Sequence, residues 1–177
     1  REHRAPARAA RVGDVLLDER AHLLVVGQQR GFDDDFDDCF EEHQVPYSNA
    51  LRLLPAYLQQ LEMESNGKRV DREGREVDYA TAPVLWGAEG TVSQHSFHQL
   101  LHQGTQVVPG DFLDFSLSKE LTANCVAQAD ALALGTSDRS LPAHRQYPGN
   151  RPSSILHFDK ISPGNLGKLI ALYEHKV

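Results

Sequence analysis

Only two of the 177 residues are cysteines, Cys39 and Cys125, and they lie far apart in the sequence with no second thiol nearby. That scarcity argues against a disulfide framework and a cysteine-based zinc site, and it fits a reducing, cytoplasmic setting. Long apolar runs are missing too. No stretch approaches the ~18 residues needed to cross a bilayer, and the N-terminal segment lacks the apolar core of a secretory signal, so no membrane or export role is indicated. Nor is there an excess of basic charge: 18 Lys and Arg against 25 Asp and Glu leave a formal charge of −7. Nucleic acid is therefore disfavoured as a general partner, because Lys and Arg supply most non-specific affinity for phosphates. Arg1, Arg4, Arg8 and Arg11 do cluster, but in a block that reads as a disordered terminus rather than a clamp.

What is present suits one soluble domain with a real core. Hydrophobic residues make up 40% and charged residues 24% of the chain, and 13 Gly and 9 Pro imply many loops. Residues 9–19 suggest a short helix. Leu23-Leu-Val-Val-Gly27 looks like a buried parallel strand. Five Asp residues alternate loosely with aromatics from Gly31 to Phe40. A calcium loop there would need a central Gly and a Glu at the twelfth position, and neither spacing is met from Asp33 or Asp35, so a solvated acidic surface is the better reading.

From Tyr47 onward the pattern sharpens. Ser48 or Asn49 can cap a helix carrying Leu51, Leu54, Leu58 and Leu61 at helical spacing, with a kink or a division into two short helices expected at Pro55. Gln60 and Glu64 then share one face if the helix persists, and Glu64 stands where it runs out into Ser65, Asn66 and Gly67. Residues 70–79 read as a surface hairpin-like excursion, and residues 82–87 as a strand. Gly90-Thr91 marks a turn into a helix reaching about His102, with His95 at its start. Another strand falls within residues 106–115. Ser116 or Ser118 caps a long helix ending at Gly135, residues 154–158 form a strand, and Ser162-Pro163 opens the last helix. Strands alternating with helices predict an α/β fold, a mainly parallel sheet covered on both faces in a three-layer sandwich.

Two residue types stand out chemically. Glu64 can face a cleft where its helix runs out, and His95 stands at the start of another helix, so acid/base chemistry could be shared between the two element ends. His95, His98 and His102 would fall within one arc of a continuous helix. Three ligands from a single helix make an awkward tetrahedral zinc set, and no nearby carboxylate completes it, so no metal is expected.

Several blocks in order resemble phosphoglucose isomerase, the family that interconverts glucose 6-phosphate and fructose 6-phosphate. They are Leu54-Pro-Ala-Tyr-Leu-Gln-Gln-Leu-Glu-Met-Glu-Ser-Asn-Gly-Lys68, Trp86-Gly87, Gln94-His95, Gln99-Leu-Leu-His-Gln-Gly-Thr105, Gly149-Asn-Arg-Pro-Ser153 and Leu169-Ile-Ala-Leu-Tyr-Glu-His-Lys176. The resemblance covers residues 45–177 and leaves residues 1–44 unassigned. It implies part of the second of two sugar-isomerase (SIS) domains. Glu64 would be the general base, Gln60 a substrate contact and His95 the ring-opening acid. It also implies a hexose 6-phosphate substrate, no metal or organic cofactor, and a homodimer in which the histidine reaches the partner's active site.

There are departures from the family pattern. Gly90-Thr-Val-Ser-Gln-His95 replaces the usual Gly-Thr-Asn-Gly-Gln-His, and His98 occupies a position that is usually aromatic. The family's Gly-Gly-Arg block, Ser/Thr-rich phosphate loop and C-terminal catalytic lysine have no counterpart here. The expectation is therefore isomerase chemistry that is incomplete in this chain. The alternatives are a non-catalytic sugar-phosphate-binding or dimerisation module and, more remotely, a histidine metalloprotein.

Overall fold

The computed structural model describes residues 41–177 in full, together with the backbone of two N-terminal strands. Six strands form one sheet: β1 (Arg11–Asp18), β2 (Ala21–Val26), β3 (Glu41–Pro46), β4 (Val84–Gly87), β5 (Gly110–Asp114) and β6 (Ser153–Phe158), in the spatial order β1-β2-β6-β5-β3-β4. β6, β5, β3 and β4 are mutually parallel, whereas β2 runs antiparallel to both β1 and β6. Two expectations are corrected here. Within the helix expected over residues 9–19, residues 11–18 are strand β1 instead. The strand at Leu23 exists, but it is antiparallel: a short apolar run shows that a strand is buried without showing its direction. The Asp-rich stretch and Cys39 lie outside the described residues.

The helices lie on both faces, as a three-layer α/β sandwich requires. On one face α1 (Leu54–Gln59) and α5 (Pro163–Lys176) bury Leu54, Leu58, Leu169 and Tyr173 against Leu85, Leu113 and Leu156. On the other, α3 (His98–Gln103) and α4 (Lys119–Leu134) bury Leu101, Cys125, Ala129 and Leu132 against Val45, Phe112 and Ile155. Neighbours along a strand point to opposite faces, so Phe112 and Leu113, or Ile155 and Leu156, serve different cores. β3 leads through α1 to β4 on one side, and the chain then crosses back to β5 on the other. The order in which the chain adds strands therefore reverses between β3 and β5, and a crevice outside the carboxyl ends of the strands at such a point is where open α/β sheets place ligands.

Local signals explain the helix ends. Ser118 caps α4, its hydroxyl accepting the Leu121 N–H at 3.2 Å, and Gly135 ends that helix at φ 65°. Ser162 caps α5 in the same way, with Pro163 in the first turn. Pro55 falls in the first turn of α1, after a separate 3-10 turn over Asn49–Leu51, so two short helices form as expected. The helix expected from Gly90 to His102 is broken. α2 covers only Gly90–Ser93, and α3 starts at His98.

Candidate active site

The carboxylate expected to act as base sits on an irregular turn. After α1 the helix widens over Gln60–Glu64 into a π-helical turn before regaining α-geometry at residues 65–66. Such single turns are frequent at functional sites because they re-aim side chains without ending the helix. Three anchors hold this one. Gln59 Nε2 donates to the Leu85 carbonyl at 2.9 Å, the Leu85 N–H meets Met63 Sδ at 3.4 Å, and Glu62 turns inward to accept from Lys176 Nζ at 2.9 Å. Gln60 and Glu64 are left exposed on the outer side. No hydrogen bond or ion pair among the described residues engages either side chain. The turn closes where the Gly67 N–H reaches the Met63 carbonyl at 3.0 Å. A Cβ on Gly67 would collide with that carbonyl oxygen, so only glycine fits.

His95 does not begin a helix. It lies in the turn between α2 and α3, its N–H bonded to the Val92 carbonyl at 3.2 Å and its ring exposed. The turn is fixed from beneath. Gly90 lies against the buried Tyr47 ring, and an added Cβ would come within 2.7 Å of it. Ser93 Oγ donates to the Gly90 carbonyl at 2.9 Å and lies 3.1 Å from His98 Nε2, while His98 Nδ1 meets Gln128 Oε1 on α4 at 3.1 Å. The three histidines therefore do not form one exposed arc: His98 is buried and bonded at both nitrogens, His102 is half-buried beside Tyr147, and only His95 is exposed. Among the described residues no group of three or more His, Cys, Asp or Glu could hold a metal ion.

The electrostatics mark several buried groups as structural. Burial lowers the imidazoles of His98 and His102 below their usual range, so both stay neutral and structural. His43, buried under α3, is pushed down to about 3 by desolvation and by the neighbouring His98. Lys176 lies between Glu42 and Glu62. Burial alone would lower its ammonium, but the hydrogen bonds and charges of the two carboxylates outweigh this and leave it above its ordinary value. Sequence reasoning missed this cluster. One signal was available: Glu62 follows Leu58 by four residues and so falls on the apolar stripe of the helix, where an acid needs a partner.

Within one chain no hydrogen bond or ion pair among the described residues links the side chains of Glu64 and His95, and both are exposed. Glu64 follows α1, in the layer that also contains α5. The segment after His95 packs through Phe97 into the opposite layer, with α3 and α4.

A family model described as phosphoglucose isomerase matches residues 22–177. The chain belongs to the phosphoglucose isomerase family. Among similar curated proteins, glucose-6-phosphate isomerase of Saccharophagus degradans is 51% identical, the match covering 75% of this chain and 29% of that protein. The enzyme of the same name from Alteromonas mediterranea is 45% identical, over 81% of this chain and 31% of that protein. A crystal structure of a glucose-6-phosphate isomerase from Chlamydia trachomatis superposes with a TM-score of 0.72 at 44% identity, over 77% of this chain and 29% of that one. A hypothetical protein from Thermus thermophilus, at 22% identity and a TM-score of 0.55, shares the fold. The chain thus spans less than a third of the length of these phosphoglucose isomerase relatives. The family match begins within β2, so most of that antiparallel strand lies in the matched region, whereas β1 precedes it.

Proposed function

We propose that this chain supplies part of a glucose-6-phosphate isomerase active site, with residues 45–177 forming most of a second sugar-isomerase domain. Glu64 takes the proton from C2 of the open-chain hexose 6-phosphate and returns it to C1 through an enediol. Gln60, on the same turn, positions the sugar. His95 protonates the ring oxygen as the hemiacetal opens. The observation that carries this reading is the π-helical turn: it buries Glu62 on Lys176 and presents Glu64 and Gln60 outward, with no competing partner among the described residues. The resemblance to the family, in which the matching histidine serves the partner's active site, supports a homodimer exchanging its histidines. The proposed setting is cytoplasmic glycolysis and gluconeogenesis, and this proton transfer calls for no metal or organic cofactor.

Proton exchange at C2 of glucose 6-phosphate in deuterated water, followed by NMR, tests the assignment at the step Glu64 performs. Glu64→Gln keeps the size but cannot take the proton, and lowers exchange by roughly 10²-fold or more. Equal exchange by both proteins would overturn the role of Glu64. Because the chain spans so little of its relatives' length, a non-catalytic module is the second reading. Saturable fructose 6-phosphate binding without exchange in either protein would favour it.

A further inference from the structure

Beyond the carboxyl end of β5, next to the point where the strand order reverses, three residues outside the proposed isomerase site stand in line. Ser116 Oγ lies 3.4 Å from His157 Nε2, and His157 Nδ1 donates to Asp114 Oδ2 at 2.8 Å. Strand register creates the second contact, because Asp114 of β5 and His157 of β6 are direct partners. Asp114 is almost fully buried. Its other oxygen accepts from the Ser116 N–H at 3.1 Å and from Thr122 Oγ1 at 3.0 Å. With Nδ1 donating to the carboxylate, Nε2 is the acceptor facing the serine, the tautomer a general base needs. Ser116 is one of two non-glycine residues with positive φ among the described residues, at 50°, and it stands on a sharp turn between a strand and a helix. A turn of that kind exposes a nucleophile above a sheet.

A groove of about 620 Å³ opens at this serine. Ser116 and Lys119 stand at one end, Ala123, Val126 and Ala127 form an apolar wall, and Asp130 lies beyond. The groove is shallow and open to solvent, which suits a short-chain substrate lying on its apolar wall. The groove also runs along the start of the 16-residue helix α4, where the Lys119 N–H is left without a partner among the described residues, at the positive end of the helix dipole.

We propose that Ser116, His157 and Asp114 form a nucleophilic triad that hydrolyses short-chain carboxylic esters bound in this groove. Ser116 Oγ bonds to the acyl carbon as its proton passes to His157 Nε2, and the Lys119 N–H stabilises the oxyanion. The C–O bond to the alcohol breaks, and the alcohol leaves with that proton. Water then attacks the acyl-enzyme, giving its proton to Nε2, and the carboxylic acid departs as the proton returns to Ser116 Oγ. In the resting protein the Ser116 hydroxyl donates to the Phe158 carbonyl at 2.9 Å. An acyl group in the groove draws it toward His157, and nucleophile–base bonds typically shorten in this way once substrate binds.

A fluorophosphonate probe, which phosphonylates an activated serine with loss of fluoride, tests the inference on the full chain, with p-nitrophenyl butyrate hydrolysis as the second readout. Labelling of Ser116 at one probe per chain, located by peptide mass spectrometry, is expected. His157→Gln should slow labelling by roughly 10²-fold. Ser116→Gly should abolish labelling and reduce ester hydrolysis to the background of free imidazole. Glycine suits the positive φ, so this variant keeps its fold, which circular dichroism and a thermal melt check. No label on Ser116, a labelling rate unchanged by His157→Gln, or undiminished hydrolysis in folded Ser116→Gly would each overturn the triad.

Discussion

Replacing Asp111 by asparagine should stabilise the protein at pH 8. Asp111 stands on β5, where Tyr173 of α5 donates its hydroxyl to Oδ2 at 2.8 Å. Desolvation, reinforced by the charge of Glu42, lifts its carboxyl from 3.8 to about 6, against the opposing pull of Tyr173, Lys176 and Ser154. A rise of roughly two pH units corresponds to about 3 kcal/mol. The sign follows from the direction. Below the unfolded value near 3.8 the group is protonated in both states and contributes no difference. As pH rises toward 6 the unfolded chain ionises first, and the native state loses stability until both are ionised. Asparagine keeps an acceptor for Tyr173 and removes the charge. Urea unfolding followed by the fluorescence of Trp86, the only tryptophan, should show Asp111→Asn more stable than wild type by about 1–3 kcal/mol at pH 8, with the difference vanishing near pH 4. The comparison must be a difference, because His43 titrates in the opposite sense in both proteins. Equal or lower stability of the variant at pH 8, or a difference that does not change with pH, would refute the reasoning.

Three further outcomes follow from the same packing. His43, held neutral down to about 3, is protonated in the unfolded chain below about 6.5, so Asp111→Asn should lose stability steadily as pH falls from 6.5 toward 3; circular dichroism across that range checks it. Gly90→Ala places a methyl 2.7 Å from the Tyr47 ring and should lower the urea-derived stability by about 1–3 kcal/mol while displacing the turn that carries His95. Burial and the nearby Asp114 charge push the Cys125 thiol well above its usual value, so in a Cys39→Ser background it should react with Ellman's reagent no faster than the protein unfolds.

The helices of the C-terminal half were legible because their signals are local. Ser118 with Gly135, and Ser162 with Pro163, state a start or a stop within a few residues, and backbone groups at helix ends accept such partners whatever lies elsewhere. Residues 9–19 misled because charged and small residues suit either state, and pairing with β2, whose partners lie 3 to 15 positions on, decided between them. The direction of the strand at Leu23 was hidden for a similar reason: its pairing with β6 joins residues more than 120 positions apart. The helix expected through His102 failed at residues 94–97, where the buried His98, tied to Ser93 and to Gln128 on α4, starts a new helix.

By itself, then, the sequence determined the alternation of strands and helices, most of the caps, and the blocks that carry Gln60, Glu64 and His95. Each of those depends on neighbours in the chain. Which glutamate of the π-helical turn faces inward, which side of the sheet each candidate residue occupies, and the alignment of Ser116 with His157 and Asp114 were decided by the tertiary structure. Burial, desolvation and cross-strand register arise only when distant segments pack together, and a carboxylate turns toward solvent or toward a lysine according to what that packing leaves beside it.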